Sequence, residues 1–144
     1  MYSIGFTGTQ SGITEGQFIN LSRILHILSR KGKVEVHHGM CIGADHEFHI
    51  MIRSILGSEA EIHGHPCNIY DKQAKIIDID VMHPIMKPLK RNKIIAKSSD
   101  QIIVCPKESE EQLRSGTWAT YRYAQQANKE ITLIKPDGTV CNSI

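Results

Sequence analysis

The sequence predicts an α/β domain of Rossmann-like, three-layer architecture with a mostly parallel sheet. Three observations predict it. Short apolar runs alternate with segments of helical periodicity along the 144 residues. The run Gln101–Cys105 is continuously apolar after its first residue, as a strand covered on both faces must be. Glycine- and hydroxyl-rich turns stand where strands pass into helices, at Gly5–Gly12 and Ser115–Thr117.

Each element follows in order. Tyr2–Thr7 reads as the first strand. Thr14 and Gln17 have capping-box spacing, with Ile13 and Phe18 as a hydrophobic staple. Phe18, Leu21, Leu25 and Leu28 then share one helix face, and Gly32 ends the helix after Lys31. Val34–His38 is a strand, 39–44 a loop, and 45–56 a helix burying Phe48, Ile52 and Ile55. Glu61–His65 is a third strand, and Lys75–Val81 a candidate fourth with ambiguous alternation. Prolines at 84 and 88 precede a helix over Asn92–Lys97. The strand Gln101–Cys105, a helix from Ser115, a strand at Ile131–Lys135 and a turn at Pro136–Gly138 complete the chain.

Composition narrows the function classes. An apolar content of 40% and a charged content of 22% are ordinary for a globular protein, and the length suits one domain. The net charge of +2, from 17 basic and 15 acidic residues, argues against bulk nucleic-acid binding. No apolar run approaches the roughly 20 residues that span a bilayer, and the N-terminus has no signal-peptide pattern. Four dispersed cysteines without a CxxC pair read as reduced thiols, so a cytoplasmic protein is expected.

In a parallel sheet, ligands bind beyond the carboxyl ends of the strands. That rule gathers the loops 8–12, 39–45, 65–68 and 106–117 on one rim. The first carries Gly8, Thr9 and Gln10. It lacks GxGxxG spacing and a Walker lysine, which argues against a standard dinucleotide or ATP site. Gly43, Ala44 and Asp45 open the second helix. Asp45 suits either a ribose hydroxyl or the helix N-cap. His65 sits at a strand end where a base or phosphate would pass. The turn Ser115-Gly116-Thr117 presents free N–H groups, an open backbone and hydroxyls, a combination suited to phosphate. Trp118, just beyond it, reads as core or as an aromatic wall for a base. Arg91 offers a guanidinium fork to phosphate oxygens. No metal is expected: HEFH at His46–His49 is one residue short of HExxH, and no ligand pairs have structural-zinc spacing.

The segment Arg91–Lys135 resembles the SLOG superfamily, which groups DNA-processing protein A with the cytokinin-activating phosphoribohydrolases. There an Arg-Asn or Arg-Lys helix start leads through an a-x-x-s-D sequence into a strand. A Ser-Gly-Ser/Thr or Gly-Gly-x-Gly-Thr helix start follows. The matching residues are Arg91-Asn92, Asp100, Pro106 and Ser115-Gly116-Thr117, within about a third of the chain.

The resemblance implies a stand-alone nucleotide-ligand domain spanning 1–144. Arg91 matches the catalytic arginine of the phosphoribohydrolases, and Asn92 the asparagine of the DNA-processing relatives. The catalytic glutamate position falls on Thr120, which cannot do a carboxyl group's work. The expected activity is therefore binding of a phosphorylated, nucleotide-derived signal, ADP-ribose-like or cyclic-nucleotide-like, in order to sequester or carry it. No cofactor is expected. The resemblance also implies a homo-oligomer, and Trp118, Tyr121 and Tyr123 are candidates for its interface. The alternative is a nucleotide N-glycosidase using Asp45 or Glu47. Single-stranded DNA binding stands third, disfavoured by the charge balance and the lack of a basic aromatic groove.

Overall fold

A computed structural model describes residues 1–143. Seven strands form one sheet in the order β4-β3-β2-β1-β5-β6-β7. They are β1 (Tyr2–Gly8), β2 (Val34–His38), β3 (Ala60–Gly64), β4 (Val81–Met82), β5 (Gln101–Cys105), β6 (Glu130–Ile134) and β7 (Val140–Ser143). All pairings are parallel except β6 with β7. From β1 the chain winds outward through β2 and β3 to β4. It then returns to place β5 on the other side of β1, so the strand order reverses between β1 and β5. At that point the loops diverge and leave a crevice.

Four helices cover the sheet: α1 (Glu15–Ser29), α2 (Ala44–Ile55), α3 (Pro88–Ser98) and α4 (Gly116–Gln126). Helices α1 and α2 bury Leu21, Leu25, Phe48 and Ile52 against Ile4, Phe6, Val36 and Ile62. The opposite layer packs Ile95, Trp118 and Ala124 of α3 and α4 on Ile102, Val104 and Ile131. The expected Rossmann-like, three-layer α/β architecture is the observed one. Among the described residues no helix is long and apolar enough to cross a membrane.

The capping box of α1 forms as its spacing predicts: Thr14 Oγ1 accepts from Gln17 N and Gln17 Oε1 accepts from Thr14 N. The core-facing residue of the first turn is nevertheless Gln17, not Phe18. Gln17 is fully buried and Phe18 half-exposed. Gln17 Nε2 donates to the carbonyls of Pro106 (2.8 Å) and Ile134 (2.9 Å). The amide satisfies backbone acceptors at the ends of β5 and β6 that an apolar side chain would leave bare, which explains a polar residue there.

Three other expectations change. Lys75–Asp80 is not a strand, and β4 is only Val81–Met82. Arg53 clasps the preceding segment instead, bonding the Asp78 carboxylate and carbonyl and the Asp80 carboxylate. The Arg91 helix begins earlier, with Pro88 in its first turn, which places Arg91 and Asn92 one turn inside α3. β7 was not anticipated: its four residues are all exposed, so hydrophobic alternation carries no signal there.

Candidate functional site

The reversal of strand order between β1 and β5 opens a cleft of about 200 Å³. Its walls come from the ends of β1 and β5 and the starts of α2 and α4, with α3 behind. Gly8, Thr9, Gln10, Asp45, Arg91, Asn92, Ser115, Gly116 and Thr117 all line it, as their sequence contexts predict. The sequence puts the loops 39–45 and 106–117 on this rim without singling out Gly39, Cys41, Lys107 and Glu108, which line it too. The latter two sit in an irregular loop where no periodicity marks the inward side. The volume is below the roughly 300–1,000 Å³ usual for drug-sized ligands, so it takes a phosphate with an adjoining group, and the rest of a larger ligand would extend out of it.

The anion-binding end is the start of α4. Ser115 caps it, its Oγ accepting from Trp118 N at 3.2 Å, while Ala119 N donates to the Ser115 carbonyl. The N–H groups of Gly116 and Thr117 have no protein partner among the described residues, and both residues face the cleft. A Cβ at Gly116 would meet only Asn92 Nδ2, at 3.7 Å. The backbone is therefore open to a ligand on that side.

Arg91 is buried and heavily engaged. Nη1 donates to the carbonyls of Gly39 (2.7 Å) and His65 (2.9 Å), and Nε to Asn92 Oδ1 (2.7 Å). Among the described residues Nη2 reaches only Cys41 Sγ, at 3.6 Å. The guanidinium thus ties the ends of β2 and β3 to α3, and Nη2 is the part left for a ligand. Asn92 Nδ2 in turn donates to the Gly116 carbonyl at 3.4 Å, which joins α3 to the start of α4.

Asp45 lies at N2 of α2; the N-cap is Gly43. The carboxylate is buried and accepts from the N–H groups of Gly39 (3.1 Å) and Cys41 (3.2 Å). Burial raises its pKa to about 6, against the opposing pull of Arg91 and the two N–H donors. A Cβ at Gly39 would lie 2.6 Å from Arg91 Nη1 and 3.0 Å from Asp45 Oδ2, so any larger residue would displace the two charged side chains from their bonds.

Four residues of the expected site do not line the cleft. Gly43, at φ 83°, lies so close to Gln10 that a Cβ would be 2.3 Å from its carbonyl oxygen, and Ala44 N donates to the Thr9 carbonyl. This pair shapes the Thr9–Gln10 loop from behind. His65 is buried and stacks on His83, and burial together with neighbouring histidines pushes its pKa down to about 2. Trp118 is core, with Nε1 donating to Glu108 Oε1 at 3.1 Å, and Tyr121 packs edge-on to it. Of the carboxylates proposed for catalysis, Glu47 is occupied capping Ile13 N at 2.8 Å and does not line the cleft. Thr120 is fully buried, its Oγ1 donating to the Gly116 carbonyl at 2.9 Å.

No protein-family model matches the sequence, and no curated protein matches it. Solved structures do. The molybdenum cofactor carrier protein of Chlamydomonas reinhardtii superposes with a TM-score of 0.64 at 21% identity, over 92% of this chain and 75% of the carrier. The molybdenum cofactor binding protein of Rippkaea orientalis gives 0.62 at 19%, over 93% and 76%. DNA processing protein A of Helicobacter pylori, described with a single-stranded DNA binding mode, gives 0.58 at 14%, over 92% and 64%. What the chain shares with them at these identities is the fold, and it is the fold that the resemblance to the SLOG superfamily implies.

Proposed function

We propose that the protein binds a small phosphorylated ligand in the β1–β5 cleft and holds it without turnover, as a carrier or sequestering protein. The observation that carries this reading is the pair of N–H groups at Gly116 and Thr117 that have no partner among the described residues, on residues that line the same cleft as Thr9, Gln10 and Arg91. The ligand class is nucleotide-derived, ADP-ribose-like or cyclic-nucleotide-like. The phosphate sits on the α4 N-terminus and the remainder lies toward Thr9 and Gln10. That two proteins of the same fold are named for carrying or binding a molybdenum cofactor supports carriage over catalysis, and puts that cofactor among the ligands to test.

Native mass spectrometry of the purified protein, followed by calorimetry with nucleoside monophosphates, cyclic nucleotides, ADP-ribose and the molybdenum cofactor, tests it. Stoichiometric binding with unchanged ligand recovered is the expected result. A protein that binds none of the phosphorylated probes contradicts it.

Hydrolysis of a nucleotide N-glycoside is the second reading. Asp45 favours it, as a cleft-lining carboxyl with a pKa near 6 that can carry a proton close to neutrality. Free base released by the wild type and not by Asp45→Asn would promote this reading. We further propose a homo-oligomer. Light scattering at micromolar concentration reads it directly, and a mass near the 16.2 kDa monomer contradicts it.

A further inference from the structure

The half of the sheet that α3 and α4 leave bare carries a second group of chemically active side chains. Register makes it: in the parallel β2–β3 pair, Glu35 stands beside Glu61 and His37 beside His63. Residues two apart point the same way, so all four share one face, with His65 just beyond. None of these four side chains lines the β1–β5 cleft.

The side chains draw together around Glu35 and His63. The two oxygens of Glu35 straddle the two rings, with Oε2 3.2 Å from His37 Nε2 and Oε1 3.1 Å from His63 Nε2. Glu61 Oε1 lies 2.8 Å from the same His63 Nε2. Donor atoms of Glu35, Glu61 and His63 fall within 4.8 Å of one another. The other nitrogen of each ring is held by a further histidine: His37 Nδ1 by His65 Nε2 at 2.7 Å, and His63 Nδ1 by His83 Nε2 at 2.8 Å. Two histidines thus have their orientation fixed through Nδ1 and their Nε2 atoms turned toward two carboxylates.

His37 Nε2 is the independent observation. It is buried and, among the described residues, has no partner in bonding geometry; its one close neighbour is Glu35 Oε2 at 3.2 Å. An orphaned buried nitrogen is uncommon in a folded protein and calls for an explanation.

We propose that His37 Nε2, His63 Nε2, Glu35 and Glu61 form a site for a divalent first-row transition ion of the zinc class. Two imidazoles with carboxylates are a donor set that such ions accept. His65 and His83 act as positioning residues, the outer-sphere role that hydrogen-bonded partners of ligand histidines play elsewhere. Glu35 and Glu61 are about one-third exposed (30% and 33%), which gives the ion a path from solvent. His63 also belongs to a second grouping, with His37 and His83.

The test uses the full chain without a histidine tag, stripped with chelator and titrated with Zn2+ alone, with Co2+ as a spectroscopic substitute. The expected result is one ion per chain and a cobalt absorption band from a nitrogen–oxygen site. Glu35→Gln, at a partly exposed position, should weaken the affinity at least tenfold with the far-ultraviolet spectrum unchanged. His83→Asn should weaken it less, and the exposed-side control Glu59→Gln not at all. Absence of binding at micromolar Zn2+ overturns the proposal. So does binding that Glu35→Gln and His63→Asn both leave intact, which would mean only adventitious surface coordination.

Discussion

Arg91 Nη1 donates to the carbonyl of Gly39 at 2.7 Å. The N–H of the same Gly39 donates to the Asp45 carboxylate at 3.1 Å. One glycine therefore bridges the two charged groups on the cleft floor, and its missing side chain is what lets them approach.

Arg91→Ala is accordingly expected to be a stability variant as well as a binding variant. It leaves the carbonyls of Gly39 and His65 without their donor and Asp45 without its nearby cation. Breaking a buried charged network of this kind costs about 3 kcal/mol. Arg91→Lys should fare nearly as badly, since an ammonium cannot reproduce the fork that meets Asn92 and two carbonyls at once. Urea denaturation checks both; a midpoint unchanged from wild type contradicts this role.

Asp45 makes stability depend on pH. Its folded pKa is raised to about 6 from 3.8, so the folded state holds the proton more tightly than the unfolded chain. The stabilising contribution is fully present below about pH 4. It falls as pH rises, and is lost above about pH 6. Linkage puts the drop at roughly 2–3 kcal/mol for a shift of this size. Unfolding curves of wild type and Asp45→Asn across pH 4 to 7 test it: the difference between them should change over that window and be flat above it.

Gln17→Leu should be destabilising despite the gain in apolarity. It strips the donor from the buried carbonyls of Pro106 and Ile134 and half of the capping box from Thr14. Each bare buried acceptor costs about 1–3 kcal/mol. Denaturant titration should show a loss of about 2 kcal/mol or more; a neutral result would mean that the surroundings adapt.

The core of the fold is legible in the sequence because its signals are local. The capping box at Thr14–Gln17, the apolar run Gln101–Cys105 and the turn at Ser115 each contain their own instruction, and each forms where expected. What sequence could not convey depends on partners far away in the chain. Whether Phe18 or Gln17 faces inward is settled by two carbonyls 89 and 117 residues distant. His65 has a strand-end address, yet its ring is turned into the histidine group by His37 and His83. The Glu35–Glu61 and His37–His63 pairings exist only through strand register, so no spacing along the chain signals them. Arg91 was recognisable as a charge for the cleft, but the two carbonyls that occupy Nη1 were not.

Gly116→Asp addresses the central claim most directly, that phosphate rests on the N-terminus of α4. The position has room for a side chain, with Asn92 Nδ2 at 3.7 Å the nearest atom to a Cβ. A carboxylate in the first turn favours the helix, so the fold should be kept. It would also place a negative charge where the ligand phosphate sits. Calorimetry with the tightest phosphorylated probe should show affinity reduced on the order of a hundredfold, about 2.8 kcal/mol, at unchanged thermal stability. Wild-type affinity in a folded Gly116→Asp protein would contradict the account.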